Sequence, residues 1–392
     1  IFSRALSVMM KVFGRLDPEC FSGLTGLKIR EVDEGRLSLA LDKARMMVCR
    51  VNDDFITRLQ VSVQGVLGRE RRKRLAAYYT KPTGLEVMAK IVECYLDSAS
   101  RPLILSDPFL GSGLTLTSAV RTIDEGEIRL AWGVEPHPLA ALVAYSALVY
   151  HLDGDVGKVR IFVGDSFRLA SPRSLSGVGW SADVVLTNPP FTRWEILEAA
   201  YRSFLKCFVR GLGYWGYVVR GQLNLQLVSL FLVDSLLNDG GLLVSVLPAS
   251  TFYTTSGRSI KRLLKEKYSI LGLIEHEKED SFSTGSGFKE VILACIKSRQ
   301  EKPRKTAFIT IKTIKDAASA AKTLFEGENA ESQLTINYAD LNAVPEIWDA
   351  NWLSLFGRSE LRGVLLKFLE DAEERGAVCP WSVAYGAGAI VR

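Results

Sequence analysis

The sequence has few of the side chains that commonly bind metals or act as nucleophiles. It contains three histidines, and none of them lies in an H-E-x-x-H arrangement or another ligand spacing. Its six cysteines are scattered without a C-x-x-C pair, a pattern typical of reduced thiols in the cytoplasm. We therefore expect a cytoplasmic protein with no metal site and no Ser-His-Asp triad.

Long apolar runs and a strong net charge are also absent. The longest apolar stretches are interrupted by His151 and Asp153 or by Asp234 and Asp239, short of the roughly 18 to 20 residues that a membrane span needs. The 49 lysines and arginines exceed the 44 acidic residues by only a small margin. We expect no membrane association, and any contact with nucleic acid must come from a local basic surface.

Short β-rich runs alternate with helical stretches between about residues 100 and 300. This alternation predicts a parallel, doubly wound α/β sheet. The last two runs are joined by a loop too short for a helical crossover, so we expect them to pair antiparallel, giving six parallel strands and one reversed strand. The seven runs are Leu103–Ser106, Arg129–Val134, Val159–Val163, Asp183–Thr187, Leu242–Leu247, Ile270–Glu275 and Val291–Lys297.

The segments on either side of this core have weaker patterns. Residues 1–75 are predicted to be mostly helical and end in the basic run Arg69–Arg74, which is either a solvated helix face or a phosphate-contacting patch. After residue 300 we predict helices near Asp316–Phe325 and over Leu361–Arg375. The final residues form a glycine-bearing, strand-like piece.

The first predicted strand continues directly into a loop of small residues, Asp107-Pro108-Phe109-Leu-Gly111-Ser-Gly113. Glycines let a backbone approach a ligand closely, so this loop predicts a nucleotide-type site, although a purely structural turn is the alternative. A third glycine of the dinucleotide fingerprint is missing, because Leu116 stands in its place. This absence argues against a nicotinamide oxidoreductase.

Carboxylates follow the next two predicted strands. Glu135 stands at the spacing from which a side chain can accept hydrogen bonds from ribose hydroxyls. Asp165 precedes Ser166 and Phe167, where the carboxylate could accept an adenine amino proton and the ring could cover the base. Each acid could instead be a helix cap or a turn residue.

The fourth predicted strand ends in Asn188-Pro189-Pro190-Phe191. The prolines have no N–H, so their carbonyls and the asparagine oxygen form a group of hydrogen-bond acceptors. Such a group suits an aromatic amine, whose nitrogen becomes nucleophilic when both of its protons are accepted. Phe191 could stack on the attached base.

These motifs resemble those of the S-adenosylmethionine-dependent amino-methyltransferases that act on adenine in DNA. Asp107–Gly113 resembles motif I of that family, and Asn188–Phe191 resembles motif IV. Tyr79, Thr80 and Pro82 lie in a segment similar to motif X, which borders the methionine end of the cofactor.

The resemblance implies a role for each candidate residue. It implies a class I methyltransferase fold, S-adenosylmethionine as cofactor, catalysis by the Asn188–Phe191 motif, and stacking on a flipped adenine by Phe191 and by Phe282 of motif VIII, with Phe288 as the rival. The implied cofactor-binding residues are Tyr79, Thr80, Pro82, Asp107, Pro108, Phe109, Gly111, Gly113, Glu135, Asp165, Ser166 and Phe167.

The order of the motifs resembles the gamma subgroup, in which a recognition region follows the catalytic core. This implies a helical segment over 1–75, a methyltransferase domain over 76–300 and a linker with the start of a truncated target-recognition region over 301–392. We accordingly expect N6-methylation of adenine in DNA, within a restriction-modification system that has separate specificity or endonuclease subunits. Methylation of an RNA base or a protein glutamine amide is the first alternative, and a non-catalytic DNA-binding subunit is the second.

Overall fold

The structure is a computed structural model that describes most of the 392 residues. The basic run Arg69–Arg74, the predicted helix Leu361–Arg375 and the glycine-bearing end of the chain lie outside the described residues. Those described are 1–26, 34–66, 79–97, 101–170, 181–192, 194–219, 223–279, 281–297, 305–329, 334–344 and 351–356.

One mixed sheet extends through the described part of the chain, in the spatial order β1-β4-β3-β2-β5-β6-β8-β7-β9-β10. β8 is antiparallel to both of its neighbours and β10 is antiparallel to β9, whereas the other neighbouring strands are parallel. The strands are β1 (Leu24–Thr25), β2 (Leu103–Asp107), β3 (Ile128–Glu135), β4 (Val159–Val163), β5 (Ala182–Thr187), β6 (Leu237–Pro248), β7 (Tyr268–His276), β8 (Glu290–Lys297), β9 (Thr306–Ile311) and β10 (Thr335–Ala339).

The sequence-based prediction of the sheet is confirmed in its centre and wrong in its strand count. Strands β2 to β8 correspond to the seven predicted runs, and the predicted antiparallel pairing of β7 with β8 is confirmed. The described sheet has ten strands rather than seven, because β1 adds to the β4 edge and β9 and β10 add beyond β7. β1 has only two residues, too few to show a pattern.

Helices cover both faces of the sheet. They are α1 (Phe2–Phe13), α2 (Glu34–Met47), α3 (Asp53–Val66), α4 (Pro82–Leu96), α5 (Leu114–Val120), α6 (Pro138–His151), α7 (Ser166–Leu169), α8 (Ala199–Gly211), α9 (Leu225–Leu236), α10 (Arg258–Lys267) and α11 (Ala317–Glu326). Helix α11 confirms the helix predicted near Asp316–Phe325.

Alternation along the strands divides the core into two layers. Val184 and Leu186 of β5 face the layer formed with α4, α5, α6 and α11, whereas Val185 faces the layer formed with α8, α9 and α10. Because successive side chains of a strand point to opposite faces, a strand segment buried on both faces is apolar throughout, as residues 184–186 of β5 are.

The N-terminal helices form a third layer outside α6. Residues of α1 and α3, among them Val8 and Leu59, pack against Val143 and Ala147 of α6. Helix α6 is therefore covered on two sides, which explains why its sequence is apolar around most of its circumference. The helical N-terminal segment predicted from the sequence is confirmed over its described residues.

None of the helices in the described ranges is long and apolar enough to cross a lipid bilayer.

A buried ionic cluster fixes the end of the sheet opposite the carboxyl ends of its parallel strands. Asp234 of α9 is fully buried and accepts hydrogen bonds from the Tyr214 hydroxyl, from the Tyr268 hydroxyl at 2.8 Å and from Lys267 Nζ at 2.6 Å. Burial alone raises the pKa of Asp234, but Lys267, the tyrosines and nearby Lys297 outweigh it and hold the pKa below its ordinary value of 3.8.

Replacing Asp234 by alanine should lower the free energy of unfolding by about 3 to 5 kcal/mol, because it leaves two partly buried lysines and two buried tyrosine hydroxyls without their acceptor. The wild-type contribution is present above the ordinary pKa of 3.8 and is lost as the pH falls through the lower folded value. Urea unfolding near neutral pH measures the difference. The exposed Asp124 provides the control, and Asp124→Ala should change stability by less than about 0.5 kcal/mol. Equal effects of the two variants would contradict this account of the cluster.

Candidate active site

The candidate site lies where four neighbouring parallel strands end. β2 ends at Asp107, β3 ends at Glu135, Asp165 follows β4 and Asn188 follows β5. These strands lie side by side in the order β4-β3-β2-β5. The chain places β3 and β4 on one side of β2 and β5 on its other side, so the strand order reverses between β2 and β5. Ligands of open α/β sheets bind at such a reversal, beside the carboxyl ends of the strands. The sheet therefore brings the predicted acids and Asn188 to one edge.

Asp107 shapes the loop that follows β2. One of its carboxylate oxygens accepts from the Phe109 N–H and from the Thr187 hydroxyl, both at 2.9 Å, and the other accepts from the Thr115 hydroxyl at 2.6 Å. The side chain is buried, and this burial raises its pKa to about 6 against the opposing effect of the three donors. Asp107 thus connects the loop to α5 and to the end of β5.

The loop after Asp107 needs glycine at two positions. Gly111 and Gly113 have φ values of +58° and +82°, in the left-handed region that other residues rarely adopt. A Cβ on Gly113 would lie 2.9 Å from the Ala144 Cβ, whereas one on Gly111 would lie 3.5 Å from the Tyr79 ring. The backbone of this loop is therefore packed closely under Tyr79.

A residue that the sequence analysis missed supports the same loop from the N-terminal helices. Gln60 of α3 is buried, and its Nε2 donates to the Ser112 carbonyl at 2.9 Å and to the Thr117 hydroxyl at 3.0 Å. Its partners lie far away in the sequence, so no local pattern indicates this contact.

Glu135 is a buried carboxyl group at the end of β3, next to the glycine loop. Its Oε1 accepts from the His137 N–H at 2.7 Å. Burial raises the pKa of Glu135 to about 8, although hydrogen bonds from the His137 and Gly111 backbones favour the charged form. A ligand that offers hydroxyl donors here would stabilise the carboxylate.

Asp165 is a helix cap in the structure. Its Oδ1 accepts from the Phe167 N–H at 2.9 Å at the start of α7, and its Oδ2 accepts from the Tyr201 hydroxyl at 2.8 Å. The Ser166 hydroxyl donates to the Pro108 carbonyl, which holds this turn against the glycine loop.

The Phe167 ring belongs to the core of the protein. It is 3% exposed and lies 5.6 Å from the centre of the Phe109 ring and 5.7 Å from that of Phe208. Of these three rings, Phe109 is the most accessible one and lies at the edge of the site. Phe167 packs behind it in the core and supports that edge.

Asn188 is held by two hydroxyl groups from other parts of the chain. Its Nδ2 donates to Thr80 Oγ1 at 3.2 Å and to Ser283 Oγ at 2.9 Å. Both amide protons are therefore used, and Oδ1 is buried without a hydrogen-bond partner among the described residues. The adjacent Pro189 and Pro190 have no N–H to satisfy it. The side chain consequently presents a lone acceptor.

The two hydroxyl groups are brought together by a short pairing of distant segments. Thr80 and Ser283 form an isolated antiparallel bridge. The Lys81 N–H donates to the Phe282 carbonyl at 2.6 Å, and the Thr284 N–H donates to the Tyr79 carbonyl at 2.8 Å. Pro82 then begins α4 on the surface. Thr80, predicted as a cofactor residue, is thus a partner of Asn188, and Ser283 was not predicted at all.

The two candidate aromatic residues of the 281–288 loop occupy different environments. Phe282 is 2% exposed and packs in the core beside Gly84 and Thr80, so its ring does not face the site. Phe288 is partly exposed, and its ring centre lies 6.0 Å from that of Phe191 in an edge-to-face contact. Of the two rings, Phe288 is the one that lies beside Phe191, so the rival named in the sequence analysis is better placed for stacking than Phe282.

Comparison with known proteins identifies a family. The sequence model of the family described as N-6 DNA Methylase matches residues 65–345, most of the chain. A search of curated protein sequences found no match.

Solved structures with a similar fold include several restriction-modification proteins. A Listeria monocytogenes protein, described as a class I S-adenosylmethionine-dependent methyltransferase, is 16% identical with a TM-score of 0.58 over 84% of this chain and 90% of its own. The type IIG restriction endonuclease BpuSI is 14% identical with a TM-score of 0.60, over 89% of this chain and 43% of its own. A type I restriction-modification methyltransferase subunit from Streptococcus thermophilus is 14% identical with a TM-score of 0.58, over 81% of this chain and 68% of its own. At these identities the likeness concerns the fold.

Proposed function

Since this chain belongs to the N-6 DNA methylase family, we propose that it transfers the methyl group of S-adenosylmethionine to the N6 amine of a flipped adenine in DNA. Membership of this family identifies the protein as a DNA adenine methyltransferase. We propose in addition its cofactor, the roles of its site residues and the extrusion of the target base. The observation that carries it is the buried, unpaired Oδ1 of Asn188 beside a glycine loop at the sheet reversal.

The residues at the edge of β2 and β3 fit an S-adenosylmethionine molecule. Bound there, this cofactor supplies a methyl group made electrophilic by its sulfonium. Gly111 and Gly113 allow close approach of the backbone, and the buried Glu135 offers an acceptor to ribose hydroxyls. Asp107 acts in this proposal by holding the loop shape, because its oxygens are already occupied by Phe109, Thr115 and Thr187.

Asn188 and Pro189 fit the two protons of an aromatic amine. Oδ1 of Asn188 accepts one N–H, and the adjacent Pro189 carbonyl accepts the other. With both protons held, the amine nitrogen moves towards tetrahedral geometry and its lone pair becomes available for attack. Holding the reacting atoms in line can lower the barrier by about 7 to 11 kcal/mol.

Phe191 and Phe288 fit the ring of the extruded base. Extruding a base from a duplex costs a few kcal/mol, and stacking on an aromatic side chain returns about 1 to 3 kcal/mol per base. Phe191 follows Asn188 by three residues and the Phe288 ring packs against it, so we assign the base of the bound amine to these two rings. We accordingly transfer the stacking role from Phe282 to Phe288.

The partners proposed from the sequence are DNA and separate specificity or endonuclease subunits. Support comes from the structural neighbours, which include BpuSI, an endonuclease, and the Streptococcus thermophilus protein, a subunit of a type I restriction-modification system.

Asn188→Ala should reduce methyl transfer by roughly 100-fold or more and leave cofactor affinity unchanged, because the substitution removes an acceptor for the amine and leaves the glycine loop intact. Transfer is measured as labelled N6-methyladenine in unmethylated genomic DNA, and affinity is measured by calorimetry. The exposed Asn342 gives the matched control, for which Asn342→Ala should retain full activity.

Equal loss of transfer and cofactor affinity in Asn188→Ala would contradict the role assigned to Asn188. Parallel incubations of the wild-type chain with RNA and with protein test the alternatives, since label in either of these and none in DNA would overturn DNA adenine as the substrate.

The affinity for S-adenosylmethionine should increase with pH through the pKa of Glu135. That carboxyl, with a pKa of about 8, is largely protonated at neutral pH. Ribose hydroxyls stabilise the carboxylate and lower its pKa in the complex, so binding releases a proton. Affinity should therefore rise from about pH 6 to about pH 8 and then level off. The Glu135→Gln variant has no carboxyl proton to release at this position. Calorimetry of that variant therefore measures only the proton release of the cofactor itself. Identical pH profiles for both proteins would contradict the assignment.

Phe288→Ala should impair base extrusion without unfolding the protein. Once sequencing of methylated DNA has located the target, 2-aminopurine replaces the target adenine, and its fluorescence rises when the base leaves the stack. We expect a smaller rise for Phe288→Ala, because stacking worth about 1 to 3 kcal/mol is lost. Phe282→Ala instead should destabilise the fold by about 3 to 5 kcal/mol. A wild-type fluorescence rise in Phe288→Ala would remove Phe288 from the proposal.

A further inference from the structure

The glycine loop is contacted by a helix that lies almost entirely outside the family match. The matched residues begin at 65, whereas α3 spans Asp53–Val66 and belongs to the N-terminal layer. Gln60 of this helix is 1% exposed, and its amide group reaches both the loop and α5. The N-terminal layer therefore contributes a buried side chain to the loop at which we propose that the cofactor binds.

Both amide protons of Gln60 are used in this contact. Nε2 lies 2.9 Å from the Ser112 carbonyl oxygen and 3.0 Å from Thr117 Oγ1. A carbonyl can only accept a hydrogen bond, so the nitrogen of the amide must face Ser112. Ser112 and Thr117 are also buried, and a buried carbonyl that loses its donor is costly. The contact thus favours one arrangement of α3, the loop and α5.

The Ser112 carbonyl belongs to a peptide group whose orientation the neighbouring residues leave open. Gly111 and Gly113 stand on either side of Ser112, and glycine adopts positive and negative φ with similar ease. Two hydrogen bonds hold the peptide between Ser112 and Gly113 as observed. Gln60 donates to its carbonyl, and its own N–H donates to the Leu110 carbonyl at 2.9 Å.

We propose that Gln60 is a positioning residue that holds this peptide in the orientation that binds the cofactor, and that it thereby couples α3 to cofactor binding. The inference deepens the proposed function and rests on it, since it requires S-adenosylmethionine to bind at the glycine loop. A ligand that binds one conformation of a loop binds more weakly in proportion to the fraction of molecules in that conformation. Gln60 increases this fraction before the cofactor binds.

The coupling between α3 and the cofactor acts in both directions. If the packing of α3 on the loop increases cofactor affinity by some factor, bound cofactor must favour that packing by the same factor. A side chain with a purely structural role would stabilise the fold without this link to the ligand. Measurements of cofactor affinity and of the local opening of α3 therefore distinguish the two roles.

The first test is the substitution Gln60→Met, which keeps an unbranched side chain of similar length and removes both N–H donors. The affinity for S-adenosylmethionine, measured by calorimetry, should fall about 10-fold, and the KM for the cofactor should rise by a similar factor. The kcat at saturating cofactor should stay at the wild-type value, because the bound cofactor selects the same loop conformation and the Asn188–Phe191 turn is unchanged.

The matched control is Thr117→Val, which removes the other acceptor of the Gln60 amide and leaves the bond to Ser112. Its cofactor affinity should stay within about 2-fold of the wild-type value. A wild-type affinity in Gln60→Met would overturn the proposal. An equal loss in both variants would also overturn it, because the effect would then come from the packing of α3 on α5. If Gln60→Met fails to fold, Gln60→Asn, whose amide is one carbon shorter, is measured against the same two outcomes.

Hydrogen exchange of the backbone amides of residues 56–63 tests the reverse direction. Saturating S-adenosylmethionine should slow their exchange about 10-fold in the wild-type chain, in line with the affinity change, and less than about 2-fold in Gln60→Met. Equal slowing in the two proteins would overturn the coupling.

Failure of the inference and failure of the proposed function give different results. If the wild-type chain binds S-adenosylmethionine and Gln60→Met binds it equally well, only the role of Gln60 is contradicted. If the wild-type chain does not bind S-adenosylmethionine, the proposed function is contradicted, and the role of Gln60 falls with it.

Discussion

Two hydrogen bonds from one amide group hold the candidate site together. Asn188 Nδ2 donates to Thr80 and to Ser283, so the segment before α4, the end of β5 and the loop before β8 meet at a single side chain. This arrangement leaves Asn188 Oδ1 buried without a partner among the described residues, which destabilises the fold by about 1 to 3 kcal/mol. A protein keeps such an unpaired acceptor only where the surrounding structure holds it rigidly, and this is the condition that a binding group for an amine requires.

The strand order of the sheet places Asn188 next to the glycine loop. β2 and β5 are adjacent and parallel, so their carboxyl ends lie together at the point where the strand order reverses. The bond from the Thr187 hydroxyl to Asp107 then connects the glycine loop to the residue that precedes Asn188. The glycine loop and Asn188 are therefore connected through the end of β5, and the core layers on both faces of β5 support them.

Local patterns predicted the centre of the fold because each strand carries its own signal. Buried parallel strands are short apolar runs, and the Asn188–Phe191 turn shows its acceptor character in four consecutive residues. Contacts between distant segments could not be predicted in this way. Ser283, which contacts Asn188, lies in a loop that contains Gly285 and Gly287, both with positive φ. Because glycines allow many backbone conformations, the sequence did not determine whether Phe282 or Phe288 of this loop faces the site.

A crystal structure of the chain with bound S-adenosylmethionine tests the central geometric claim most directly. An amine hydrogen-bonded to Asn188 Oδ1 at about 2.9 Å and attacking at about 3 to 3.5 Å requires the methyl carbon to lie within roughly 6.5 Å of that oxygen. The account predicts a methyl group at such a distance, directed at Asn188, with the ribose hydroxyls on Glu135. A methyl group directed away from Asn188, or one on the far side of the glycine loop, would contradict it.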